Sequence, residues 1–205
     1  MDCRRNSVED NSMEKKEDRR IRKTREQLKS GLARLMQKKN LNEITVKELV
    51  DEADINRSTF YLHYSNVTDL LKEIETALLE EMQMAAEKYP IIREENTVMY
   101  FFEDVFQILG RNREIACALL GPNGDISFIR KVEAALEEYS RSTLEEISQD
   151  MAGELKYFYS FCMHGCLGFV RTWLEEGQDK SPEVAAHQAF QMVKSAMEVF
   201  CNLRS

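Results

Sequence analysis

Residues Thr45 to Leu71, TVKELVDEADINRSTFYLHYSNVTDLL, constrain the fold more than any other stretch of the chain. Thr45 and Glu48 form a capping box, in which hydroxyl and carboxylate satisfy each other's backbone amides and start a helix. Val46, Leu49, Val50 and Ala53 follow at helical spacing and make one apolar stripe. Asp54 stands where that helix has to stop, because Asp enters the left-handed region more readily than most residues. Asn56 is placed to cap a second helix, with Ile55 before it packing inward. Phe60 and Tyr64 lie four apart and share a face. Asn66 and Asp69 then open a third helix carrying Leu70, Leu71, Ile74, Leu78 and Met82, which ends before Pro90. A second helix this short is unstable without neighbours. Two helices and a tight turn supply them, and in such a unit the second helix enters a DNA major groove. Arg57, Ser58, Thr59, Tyr61 and His63 crowd that second helix with groups that bond base edges and phosphates.

The charge agrees once it is located. The net charge is -8, which disfavours nucleic acid as a partner for the chain taken as a whole. Residues 14–66, however, carry 13 basic and 9 acidic side chains, whereas residues 67–205 carry 13 and 24. The basic excess therefore sits with the helix–turn–helix, densest at Lys15, Lys16, Arg19, Arg20, Arg22, Lys23 and Arg25. Such a patch attracts phosphate regardless of base sequence. A solvated charged tail is the plainer reading for Lys15 and Lys16, since Glu14, Glu17 and Asp18 interleave with them.

The segment from Arg20 to Leu71 resembles the DNA-binding domain of the TetR family of bacterial transcriptional regulators. Leu28, Leu32, Leu41, Thr45-Val46, Leu49, Ala53, Ile55, Thr59-Phe60-Tyr61, His63-Tyr64 and Leu70-Leu71 carry the resemblance. It implies that Arg57, Ser58 and Thr59 look toward bases and that Lys47 reaches a base or phosphate. Tyr61 and His63 fall at phosphate-contacting positions, assisted by Thr45, and Leu62 lies on the same DNA-binding surface. There are two departures from the pattern. Asp54 stands where the family usually has Gly, and Val67 where it often has a phosphate-binding Lys. The second leaves the local phosphate clamp weaker, or another residue supplies it. A weaker resemblance, in Gly165 to Val184 with Trp173, Gly177 and Ser181-Pro182, is to the C-terminal domain of a TetR subgroup from low-GC Gram-positive bacteria.

The expected fold is all-α. A disordered tail is expected at 1–17, being polar and highly charged. The DNA-binding domain is expected at 18–71 and a helical regulatory and dimerisation domain at 72–205. The first helix is expected from Asp18 to Lys38, with Ile21, Leu28, Leu32, Leu35 and Met36 inward. In the second half a helix runs from Glu95 to Gly110, and Gly121-Pro122-Asn123-Gly124 is the strongest break. Asp125 caps the next helix. Tyr157 to Val170 is apolar almost all round, too short to cross a bilayer, and reads as a buried helix. Ser181 caps the last helix with Pro182 at its first position.

Two apolar C-terminal helices invite a four-helix interface with a second copy. Gly165, Gly168, Trp173, Ala189, Val193, Ala196 and Phe200 are the candidate interface residues. A homodimer also suits the reader, because one short helix touches too few bases to find a site and two copies reading a palindromic operator solve that. The resemblance further implies a small-molecule effector pocket. Met99, Phe102, Phe106, Phe128, Tyr139 and Phe158, together with Phe101, are the candidates for lining it, and the implied effector is small and apolar or amphipathic. Plain core is the bland reading for each.

Enzyme chemistry finds no support. There is no Gly-rich phosphate loop, no metal-ligand spacing, and His63, His164 and His187 are scattered. No catalytic residue, metal or cofactor is expected. The five cysteines are spread and odd in number, which argues against a disulfide frame, and Cys162 and Cys166 read as small buried apolar residues. No long apolar run or secretory signal is present, so a cytoplasmic protein without membrane contact is expected. The expected function is a sequence-specific DNA-binding repressor. A co-activator, or a helical adaptor with a degenerate reader, is the alternative.

Overall fold

The computed structural model describes the backbone of residues 3–89, 95–147, 152–177 and 179–202, and the side chains of 19–89, 97–139, 156–177 and 179–202. All regular structure among these residues is helical. The chain runs α1 (Cys3–Met36), a 3-10 turn at Leu41–Glu43, α2 (Val46–Ala53), α3 (Arg57–Tyr61), α4 (Val67–Lys88), α5 (Glu95–Arg111), α6 (Arg113–Leu120), α7 (Ile126–Ile147), α8 (Ala152–Glu175) and α9 (Pro182–Asn202).

The first helix begins at Cys3, so residues 3–17, expected as a disordered tail, are helical. The sequence has no Gly or Pro between Cys3 and Ser30, and charged residues propagate a helix once a packed turn nucleates it. That packed part is Leu28, Leu32, Ala33, Leu35 and Met36, all buried. Gly31 lets α2 approach, because a Cβ there would lie 3.1 Å from the Ala53 Cβ. α4 begins on the Asn66 cap, whose side chain accepts from the Asp69 amide, and ends at Lys88, before Pro90, which lies outside the described residues. It buries Val67, Leu70, Leu71, Ile74 and Leu78 and packs against α5 and α7.

In the second half α5 packs along α9, and α6 wedges between α1 and α8. The sequence reading has no helix at α6. It is eight residues long and follows α5 after a single break at Asn112, whose side chain donates back to the Ile108 carbonyl at 3.0 Å. Its inward residues, Ile115, Ala116, Leu119 and Leu120, are buried. The Gly121–Gly124 turn stands as expected; a Cβ on Gly124 would collide with the Leu119 carbonyl. Asp125 then caps by accepting from the Ser127 amide at 2.7 Å.

The α8 stretch corrects the sequence reading. Tyr157 and Phe161 are each 69% exposed in the single chain, as are Gly165 and Gly168 to a large degree, so this helix is not buried all round. α6, α7 and α9 pack against it and leave part of its surface uncovered. The inner face, Val170, Trp173 and Leu174, is buried, and the outer face is not. No helix among the described residues is long and apolar enough to cross a membrane.

Candidate nucleic-acid interface

The reader is assembled from short helices whose ends are satisfied by side chains. Thr45 accepts from the Glu48 amide at 3.2 Å, and the Glu48 carboxylate accepts from the Thr45 amide at 2.9 Å. Lys39 meets the same carboxylate at 2.6 Å, tying the end of α1 to the start of α2. Lys39 first, then the Thr45 amide and hydroxyl, hold the Glu48 carboxyl down at about 2. Arg34 does similar work with Glu52 at 2.5 Å and lowers its carboxyl too. Asp54 ends α2 in the left-handed conformation, φ 54 and ψ 51, as its place in the turn requires. Its amide donates to the α2 carbonyls.

α3 starts on Asn56. The Asn56 Oδ1 accepts from both the Ser58 amide, at 2.9 Å, and the Ser58 hydroxyl, at 2.8 Å. Phe60 is fully buried and Tyr64 nearly so, confirming both as core. Their rings lie 5.6 Å apart. The Tyr64 hydroxyl donates to Glu73 of α4 at 3.1 Å, and Arg25 of α1 approaches the same carboxylate at 3.5 Å. Burial first and Glu73 second push the Tyr64 phenol up to about 12, so it remains a neutral donor. Two helices and the turn after α3 are thus pinned at one carboxylate.

With Phe60 and Tyr64 turned inward, the rest of α3 faces out. Arg57, Ser58, Tyr61 and Leu62 are exposed; Thr59 and His63 are half-buried. Leu62 is 79% exposed, an apolar residue left on a polar surface. Arg57 does not float free: its guanidinium lies 5.5 Å from the centre of the Tyr61 ring and donates to the Tyr61 hydroxyl at 3.2 Å. Lys47 and Thr45 at the start of α2 are exposed beside this surface. Arg19, Arg20, Arg22, Lys23 and Arg25 of α1 are also exposed, and the side chains of Lys15 and Lys16 lie outside the described residues. Val67, in place of a cation, is buried at the start of α4. The Thr45 hydroxyl both accepts from the Glu48 amide and donates to its carboxylate, so it is engaged in capping.

The residues singled out in the body do not converge on one cavity. Phe106 packs against Trp173 at 5.1 Å and edge-on against Phe169 at 5.9 Å, Phe102 edge-on against Phe190 at 5.9 Å, and Phe158 against Phe200 at 4.8 Å. Tyr139 lies 4.5 Å from Phe101 and donates to the Tyr89 carbonyl at 2.6 Å. Phe128 is buried, and Met99 is half-buried. Two adjoining clefts of about 130 and 520 Å³ lie elsewhere, between α1, α4 and the α5–α6 corner. The smaller has a mixed wall that includes Leu70, Ile74 and Leu78, and the larger is mainly polar, with Lys29 donating to Asn112 at 2.5 Å and Arg111 paired to Glu81 at 2.9 Å. Sequence reasoning missed these because three distant segments build them.

Two of the interface candidates are corrected. Trp173 is buried within its own chain, its indole donating to the Lys180 carbonyl at 3.0 Å, and Ala189 is buried against α5. Gly165 and Gly168 stay open, with nothing within 4 Å of an added Cβ. Val193, Ala196 and Phe200 are half-buried. Cys162 and Cys166 are half-buried, and burial raises both thiols, Cys166 to about 11, which disfavours a reactive thiolate.

Comparison with known proteins agrees with this geometry. Residues 30–74 match the family described as bacterial regulatory proteins, tetR family. Residues 96–195 match a family described as transcriptional regulator C-terminal region. No curated protein matches. Among solved structures, a TetR transcriptional regulator from Streptococcus agalactiae is similar over 86% of this chain and 97% of its own, at 23% identity and TM-score 0.56. The fatty acid degradation regulator FadR from Bacillus halodurans is similar over 83% and 94%, at 10% identity and TM-score 0.63. The TetR family regulator PfmR from Thermus thermophilus is similar over 81% and 96%, at 16% identity and TM-score 0.56. At these identities the structures speak to the fold, while the two family matches cover the reader and most of the body. The chain belongs to the TetR family of bacterial transcriptional regulators and is a DNA-binding transcriptional regulator.

Proposed function

We propose that the protein is a cytoplasmic homodimeric repressor of a palindromic operator, released when a small effector binds its second half, and that it has no catalytic role. The observation that carries this reading is the outward set on a capped, preformed α3: Arg57, Ser58, Tyr61 and Leu62 exposed over a core of Phe60 and Tyr64. A helix held this way presents its side chains without an ordering cost at the DNA.

Each residue has a role in this reading. Arg57, held over Tyr61, pairs with a guanine edge, and Ser58 and Thr59 face neighbouring bases. Leu62 suits the methyl of a thymine, the apolar feature of the major groove. Lys47, Tyr61 and His63 meet phosphates, while Thr45 contributes mainly by fixing the start of α2. The exposed arginines of α1 supply the cation that Val67 does not. The reader spans 18–71 and the regulatory unit 72–205, with α4 crossing the boundary. The exposed outer faces of α8 and α9, with Tyr157, Phe161, Met192 and Val199, support pairing with a second copy.

Selection of bound fragments from random duplex DNA tests the reading, followed by binding of the enriched sequence across a salt series. A two-fold-symmetric sequence with a steep loss of affinity as salt rises is expected. A folded protein that enriches nothing and shows no salt-dependent binding would favour the adaptor instead.

A further inference from the structure

α4 carries a charged side chain into the interior. Glu75 is 2% exposed, the one fully buried charged residue among the described residues. Its Oε2 accepts from the Lys131 Nζ of α7 at 2.9 Å. Its Oε1 is buried and has no hydrogen-bond partner among the described residues. The Lys131 side chain is 49% exposed, so it runs from the surface to the carboxylate and marks the short way in. Leu71 and Leu78, one turn to either side on α4, and Phe128, one turn before Lys131 on α7, are buried and apolar.

A buried ion pair is frequently no more stabilising than an apolar pair of the same size, and a buried acceptor without a donor is costly. Folding alone therefore gives little reason for a carboxylate here. A ligand that brings a donor to Oε1 gains what the fold forgoes. The site also lies on the helix whose Glu73 accepts from Tyr64 of the reader.

We propose that Glu75 Oε1 is the polar anchor of the effector site, and that it selects an uncharged amphipath bearing a hydroxyl or amide N–H donor. This rests on the effector reading above. Lys131 already balances the carboxylate, so a ligand ammonium on Oε1 would sit within a few ångströms of a like charge. A ligand carboxylate would meet Glu75 itself. A neutral donor satisfies Oε1 with neither penalty, and Leu71, Leu78 and Phe128, buried in the free chain, part to admit the rest of the molecule.

Calorimetric titration of the full chain with octanamide, octylammonium and octanoate tests this. Octanamide is expected to bind most tightly, and Glu75→Leu, which fills the space without burying a charge, to weaken it about tenfold or more. Lys131→Ala leaves the carboxylate unbalanced and moves the preference to octylammonium, a reversal that a merely structural Glu75 would not produce. Octanamide binding unchanged in Glu75→Leu, or an unchanged preference in Lys131→Ala, overturns the proposal. Failure of all three probes on the wild-type chain also overturns it. Operator release by some unrelated small molecule in that case leaves the effector reading standing alone.

Discussion

Phe60 and Phe161 are the same residue in opposite situations. Phe60 is fully buried beneath a five-residue helix; Phe161 is 69% exposed on a helix of 24 residues. The short helix exists only because its core residue and caps hold it, so its remaining side chains are free to face DNA. The long helix has enough backbone bonds and inward contacts to stand with apolar residues outside. Exposed apolar surface on that scale calls for a partner. The reader thus buries its large core side chains within one chain, while the body leaves Tyr157 and Phe161 exposed.

The largest expected effect breaks the reader. Phe60→Ala should cost about 3–5 kcal/mol in urea unfolding, the range for removing a buried aromatic ring. A cost near that of a surface substitution would show that α3 does not depend on its core residue. Phe161→Glu should do the opposite: leave monomer folding nearly unchanged and weaken self-association by about 100-fold or more, since the change counts twice across a two-fold axis. Sedimentation equilibrium measures it, and an unaltered dimer would move the interface elsewhere.

Smaller changes sharpen the comparison. Arg57→Ala should relax selectivity at one base pair per half-site by about 1–3 kcal/mol in competition binding, with little effect on folding. Full affinity and full selectivity would remove Arg57 from the base-reading set. Asp54→Gly should raise the unfolding free energy by about 1 kcal/mol, because φ 54 strains any residue with a Cβ. No gain would mean that Asp makes a compensating local bond. Acid should act on the reader through Glu48. Its folded-state pKa is depressed, so its contribution is present above the usual value of 4.5 and lost as pH falls from there toward about 2. Glu48→Gln should flatten that part of the stability-versus-pH curve, and an unchanged curve would assign the acid sensitivity to other carboxylates.

The same contrast explains what the sequence disclosed. Caps and turns are local: Thr45 with Glu48, Asn56 with Ser58 and Asp54 in its turn each lie within three residues of their partners, and each stands as read. The body depends on distant contacts. α6 is short and nearly continuous with α5, so no break announces it. Trp173 looked available for a partner, yet Phe106 and the Lys180 carbonyl occupy it. The aromatic candidates for a pocket share helical spacing with plain core, and in the structure their rings pair with neighbouring rings, some buried and some half-buried. Glu75 and Lys131 lie 56 positions apart on different helices, and no spacing rule joins them.

The most direct test of the whole account joins its two halves. Phe161→Glu, shown folded by circular dichroism and monomeric by sedimentation, is titrated onto the operator selected with the wild-type chain. The account predicts affinity lower by about 100-fold or more, because a lone α3 reads only half a site. A monomer that binds the full operator as tightly as the wild type would contradict it.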